Sequence, residues 1–161
     1  MNLLVIDVGT SSIRAAIVRP GAGVTVSRHH PLLPDSPAPG LVEFDARAMA
    51  EAVLDLGRAV LAEGGPVDAV GITNQRASAV VWDRATGEPV GPGIGWQDLR
   101  TVIDCLTLGA QGVRLAPNLT ATKAAHLLDL ADPDRTRDLC IGTVDSWLVW
   151  TLTGGARHVT D

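Results

Sequence analysis

Leu3-Leu4-Val5-Ile6-Asp7-Val8-Gly9-Thr10-Ser11-Ser12-Ile13-Arg14-Ala15-Ala16-Ile17-Val18 sets two apolar runs around a short polar break. Two such runs around a tight Gly-containing turn read as a β-hairpin. The break is more polar than a turn requires. Asp7 comes near the end of the first run, and three hydroxyl residues follow Gly9. A phosphate site uses these residue types. Glycine lets the backbone approach closely, turn N–H groups and hydroxyls receive phosphate oxygens, and an Asp can hold a hydrated Mg²⁺. The residues alone leave an ordinary hairpin with a polar tip equally open, because a short motif is only a hypothesis.

Working outward, the 161 residues suit one domain with a sizeable core. Hydrophobic residues at 46% and charged residues at 19% argue against disorder. A net charge of −5 argues against nucleic acid or an anionic membrane surface as partner. No apolar run reaches a membrane-spanning length, and Asp7 interrupts the first one too early for a signal peptide. A cytoplasmic location is expected. Cys105 and Cys140 are far apart in sequence and read as buried thiols rather than a disulfide. Lys123 is the one lysine beside twelve arginines, a bias with no functional reading of its own.

Val24 to His30 alternates weakly and is expected to form a third strand, with His29 and His30 at its end as a solvated pair rather than metal ligands. Four prolines and Gly40 make residues 31–40 a surface loop. Asp45 then caps a helix whose apolar positions Met49, Val53, Leu56 and Val60 share one face, and Gly64-Gly65 ends it. Val67 to Thr73 reads as a buried strand and Ala77 to Asp83 as another, followed by a turn at Ala85-Thr86-Gly87-Glu88. Helical patterns follow near 97–109 and 121–131, then a strand over Leu139 to Thr143 and a helix from about Val144 to Leu152, stopped by Gly154-Gly155. This order predicts an α/β fold with a mixed five-stranded sheet and helices on both faces.

Two further stretches carry polar chemistry. Asn74-Gln75-Arg76 sits at a strand end, where ligands gather in sheets of this kind. Arg76 offers a fork of donors suited to hydroxyls or phosphate, and a solvated turn arginine is the plainer alternative. Trp96-Gln97-Asp98-Leu99-Arg100 follows the Gly/Pro-rich loop Gly91-Pro92-Gly93-Ile94-Gly95. Trp96 could stack on a sugar face or simply fix the entry to a helix.

The element order matches the ribonuclease H-like (actin-like ATPase) unit shared by actin, hexokinase, the heat-shock chaperones and sugar kinases. Across residues 1–161 the chain resembles the N-terminal domain of the FGGY carbohydrate kinases, and among them the glycerol kinases. The resemblance is carried in order by Ile6 to Arg14, Gly71-Ile72-Thr73-Asn74-Gln75-Arg76, Val81-Trp82-Asp83, Trp96-Gln97, Thr122-Lys123, Gly142 to Trp150 and His158-Val159-Thr160-Asp161. Each motif is weak alone, and the ordered set is specific.

The resemblance implies ATP-dependent phosphorylation of a polyol or sugar, with Mg²⁺. It places Gly9, Thr10, Ser11, Ser12 and Arg14 on the nucleotide phosphates and Asp7 near the metal. It places Gln75, Arg76, Trp96 and Asn118 on the substrate side. Two positions depart from glycerol kinases. The Glu that holds substrate hydroxyls is Ala77 here, and the Tyr that closes the glycerol pocket is Asn118. Losing a hydrogen-bond acceptor in a closed site costs on the order of 1–3 kcal/mol, so a larger or differently hydroxylated substrate is expected. The family's catalytic Asp and adenine pocket are expected beyond Asp161, in the rest of this domain and in a second, nucleotide-binding domain. The chain is then inactive alone, with Asp98 the first substitute to suspect as base. A homodimer is left open. A non-catalytic half-kinase acting as a sugar- or protein-binding module is the alternative. A nuclease on the same fold needs several converging carboxylates, and Asn74 stands where the second acid would be wanted.

Overall fold

The computed structural model describes residues 1–160; Asp161, the last residue of the resemblance, lies outside the described residues. In chain order the elements are β1 (Leu3–Val8), β2 (Ser12–Arg19), β3 (Gly23–Pro31), β4 (Glu43–Phe44), α1 (Ala46–Gly64), β5 (Ala69–Asn74), β6 (Val80–Asp83), β7 (Gly93–Ile94), α2 (Val102–Ala110), α3 (Thr120–Ala131), β8 (Leu139–Gly142) and α4 (Val144–Leu152). They fall into two compact units, Met1–Leu33 with Ala48–Gln75, and Pro34–Arg47 with the chain from Arg76 onward.

The first unit is built on the hairpin. β1 pairs antiparallel with β2 and parallel with β5, giving a mixed sheet of order β3-β2-β1-β5. Strict alternation buries Leu4, Ile6 and Val8 of β1 with Ile13, Ala15 and Ile17 of β2. The apolar stripe of α1, with Met49, Ala50, Val53 and Val60, is buried too. Arg19 donates to the Gly64 carbonyl at the helix end. Gly65 then takes a left-handed φ of +81°, with its N–H on the Leu61 carbonyl at 2.8 Å, as a helix stop requires.

The expected α/β class and mixed sheet are present, but the sheet has four strands rather than five. The stretch expected as the fifth becomes β6, which pairs with β8 in a separate ribbon. β5 is not the buried strand its apolar content suggests. Among the described residues its one strand neighbour is β1, and Val70 is 53% exposed. Apolar composition reports strand propensity and cannot distinguish a central strand from an edge. Among the described residues of this unit, α1 is the one helix.

The second unit holds the two-stranded ribbons β4–β7 and β6–β8 with α2, α3 and α4. Ala79, Val81, Ile94 and Leu127 form one core cluster. Trp82 is fully buried, its ring 5.3 Å from that of Trp147 and 5.9 Å from that of Trp150. Trp147 Nε1 donates to the Ala46 carbonyl at 2.8 Å. Asp45 caps α1 as expected, its carboxylate accepting from the Arg47 N–H at 2.9 Å. Cys105 and Cys140 are free and buried. Among the described residues no helix is long and apolar enough to cross a membrane.

Candidate functional site

In the first unit the β1–β2 pairing runs to Val8 and Ile13, and the Gly9 N–H donates to the Ser12 carbonyl at 2.9 Å. Thr10 and Ser11 therefore form the tip. A Cβ on Gly9 would lie 3.3 Å from the Ser12 carbonyl oxygen, tighter than most Cβ contacts, so a glycine suits this closed turn. The Leu32 N–H pins the tip through the Ser11 carbonyl at 3.0 Å. The Gln75 N–H donates to the Val8 carbonyl at 2.7 Å, extending the parallel ladder one residue past β5. Gln75 is thereby fixed beside the Gly9 turn. Next to it, Asn74 Oδ1 is buried with no hydrogen-bond partner among the described residues.

Asp7 and Arg14 are cross-strand partners on one face of this sheet, with Thr73 beside Asp7 and His29 beside Arg14. The Arg14 guanidinium stands 3.8 Å from the Asp7 carboxylate; the Arg14 side chain is largely exposed and that of Asp7 partly so. Such a pair contributes little and leaves the carboxylate available. No group of three acid, His or Cys side chains among the described residues could hold a metal by itself. Asp7 alone suits Mg²⁺, which is commonly held through one or two carboxylates, water and substrate phosphates.

In the second unit Arg76 is exposed, and the residue after it is strained. Ala77 has φ +66°, a left-handed conformation that costs an L-residue on the order of 1–2 kcal/mol. The next residue, Ser78, is fully buried and accepts from the Trp96 N–H through Oγ at 3.1 Å. The structure thus ties the Arg76 stretch to Trp96, which is 39% exposed. Asn118 is exposed on the loop before α3.

Asp98 does not stand at a cleft mouth as a spare base. It is fully buried, and it accepts from the Val42 N–H at 2.6 Å and from the Arg100 N–H, Nε and guanidinium at 2.8 Å each. Burial pushes its carboxyl up, but the hydrogen bonds from Arg100 and Val42 outweigh this and hold it below the ordinary carboxylate value. Arg100 also reaches Glu43 at 2.8 Å. This turn is why α2 begins at Val102 rather than near residue 97.

Ser78 and the Asp98–Arg100 turn escaped the sequence reading. An acid two residues before an arginine, next to a Gly/Pro-rich loop, was the available signal.

Comparison with known proteins identifies the family. The profile of the FGGY family of carbohydrate kinases, N-terminal domain, matches residues 2–161. A glycerol kinase of Rhodospirillum centenum is 41% identical across 99% of this chain, which covers 36% of that protein. A glycerol kinase of Trichlorobacter lovleyi is 39% identical with the same coverage. The chain thus spans about a third of the length of these relatives. Among solved structures, the Plasmodium falciparum glycerol kinase with ADP superposes with a TM-score of 0.80 at 25% identity, over 96% of this chain and 34% of that one. A xylulose kinase of Brucella ovis shares the fold with a TM-score of 0.82 at 22% identity, over 94% of this chain and 33% of that one. The actin-like architecture, the ordered motifs and the profile match agree: the chain belongs to the FGGY family of carbohydrate kinases, in the region of its N-terminal domain.

Proposed function

We propose that this chain is the substrate-side part of a kinase that transfers the terminal phosphoryl group of ATP to a hydroxyl of a polyol or sugar in the cytoplasm. What supports the reading is the tight Gly9 turn, with the partly exposed Asp7 carboxylate on the strand before it and Gln75 hydrogen-bonded beside it. Gly9, Thr10, Ser11 and Ser12 receive phosphate oxygens, and Arg14 adds a positive charge at the same edge. Asp7 holds Mg²⁺, which when bound neutralises phosphate charge. Gln75, Arg76, Trp96 and Asn118 orient the accepting molecule, with Arg76 donating to hydroxyls and Trp96 offering an apolar face.

Ala77 supplies no hydrogen-bond acceptor, and Asn118 is smaller than a closing aromatic. Both features favour a longer polyol or a pentose over glycerol. Phosphoryl transfer works by positioning and by neutralising charge from several sides. This chain supplies one side, as an incomplete N-terminal domain. The accepting base and the adenine wall belong to the remaining two-thirds that its relatives possess.

Calorimetry of the 161-residue chain with Mg·ADP tests the assignment alongside a coupled kinase assay over a panel of polyols. Weak, salt-sensitive binding that disappears in Asp7→Ala, without turnover, is expected. Turnover above background, from material shown by mass to end at Asp161, overturns the division of labour.

A further inference from the structure

Ala79 and Ile94 exchange both of their backbone hydrogen bonds, each at 2.9 Å, as an antiparallel pair. In such a ladder the next pair to exchange bonds lies two residues further along each strand. Here that pair is Ala77 and Trp96, so the Trp96 N–H would meet the Ala77 carbonyl. The chain departs from this pattern. Ala77 takes a left-handed φ of +66°, and the Trp96 N–H donates instead to Ser78 Oγ at 3.1 Å. A side-chain hydroxyl stands where a ladder carbonyl would. Serine offers the backbone this kind of alternative partner, and Ser78 is fully buried, out of competition with water.

The opposite flank of the same segment is fixed by backbone. Gly93 pairs with Phe44, and the Gly95 N–H donates to the Val42 carbonyl at 2.8 Å. A Cβ on Gly93 would lie 2.3 Å from the Phe44 ring, and one on Gly95 would lie 2.8 Å from the Val42 side chain. The chain entering Trp96 is therefore seated closely on that side, and Ser78 holds it from the other.

We propose that Ser78 is a positioning residue: its buried hydroxyl lets the backbone leave the ladder at Ala77, next to the exposed Arg76, while keeping Trp96 fastened beside that turn. The functional half of this assignment rests on the reading above that Arg76 and Trp96 meet the polyol or sugar. The exchange of hydroxyl for carbonyl does not.

Amide hydrogen exchange on this chain, read residue by residue by NMR, tests the exchange of partners. The Trp96 amide is expected to be protected, and Ser78→Ala should reduce its protection about tenfold, the scale of one hydrogen bond, with the Ala79 and Ile94 amides unchanged. Ser78→Cys, close in size and a weak acceptor, gives the same reading where Ser78→Ala does not fold. A wild-type Trp96 amide that exchanges as fast as an unfolded one overturns the proposal, as does protection that neither variant lowers. In a protein extended to the length of the relatives, the same variant should raise KM for the accepted polyol or sugar about tenfold with kcat kept. A variant that only lost folded protein would lower kcat and leave KM unmoved, and that result overturns the positioning role. An extended protein that phosphorylates no polyol or sugar refutes the kinase reading, and the exchange result stands apart from it.

Discussion

Replacing Asp98 with alanine tests whether its carboxylate is a structural anchor or a reserve catalyst. The variant removes the acceptor of four hydrogen bonds, from the Val42 N–H and from three donors of Arg100. Breaking a buried pair by deleting one partner typically costs about 3–5 kcal/mol. Arg100 is 13% exposed and keeps Glu43 at 2.8 Å, so its charge is not abandoned. The lower end, about 3 kcal/mol, is therefore expected. With a urea slope of about 2 kcal/mol per molar, the unfolding midpoint falls by roughly 1.5 M. Tryptophan fluorescence is a suitable probe, because Trp82, Trp147 and Trp150 lie in the same unit as Asp98.

The pH dependence supplies a second check. The folded carboxyl lies below its ordinary 3.8. Its contribution is present above the unfolded value and is lost as pH falls through the folded one. Wild type and variant should therefore converge in strongly acid solution. A loss under about 1 kcal/mol, the scale of an exposed pair, together with no convergence, would refute the anchor and return Asp98 to consideration as a base.

Arg76→Ala, made in a protein extended to the length of the relatives, should raise KM about ten- to a hundredfold with the fold intact, since a charge-assisted hydrogen bond contributes roughly 1.5–3 kcal/mol; steady-state kinetics and circular dichroism read the two effects. In the same extended protein, a substrate panel should give a pentose or longer polyol a higher kcat/KM than glycerol, and glycerol at the top would sink the reading of Ala77 and Asn118. Ala77→Gly should raise stability by about 0.5–1 kcal/mol, since glycine accepts the φ of +66° without strain and gives back part of the gain as unfolded-state entropy; a lowered Tm would count against strain at that position.

Much of the fold was legible because local chemistry and the fold agree. The Gly9 break, the Asp45 cap and the Gly64-Gly65 stop each do locally what the structure needs, and α4 spans the residues its pattern marks. The hairpin itself was legible for the same reason: the residues proposed to meet the phosphates are neighbours in sequence that a hairpin keeps as neighbours in space. What was missed depends on distant pairing. β4 and β7 are two residues each and exist because Glu43 pairs with Ile94 and Phe44 with Gly93. No periodicity can show in two residues. The strand at β6 was expected, but its pairing with β8, which begins more than fifty residues later, was not, nor was Ser78, whose hydroxyl accepts from the backbone of Trp96.

The distribution of buried polar groups explains why the second unit was the harder half to read. The buried polar and charged residues among those described are Ser78, Asp98, Thr101, Thr122, Lys123, Asp132 and Ser146. All of them fall in the second unit. The first unit buries apolar side chains and presents its turn through backbone geometry, so a binary pattern suffices to specify it. Holding Arg76, Trp96 and Asn118 requires loops, and loops are positioned by whatever satisfies their backbone groups. Here Ser78, Asp98 and Lys123 do so, each reaching a backbone N–H or carbonyl in another segment. Satisfied buried polar contacts are directional where apolar packing is not. They therefore fix loop positions that apolar packing alone would leave loose, and in sequence they look like any other serine, aspartate or lysine.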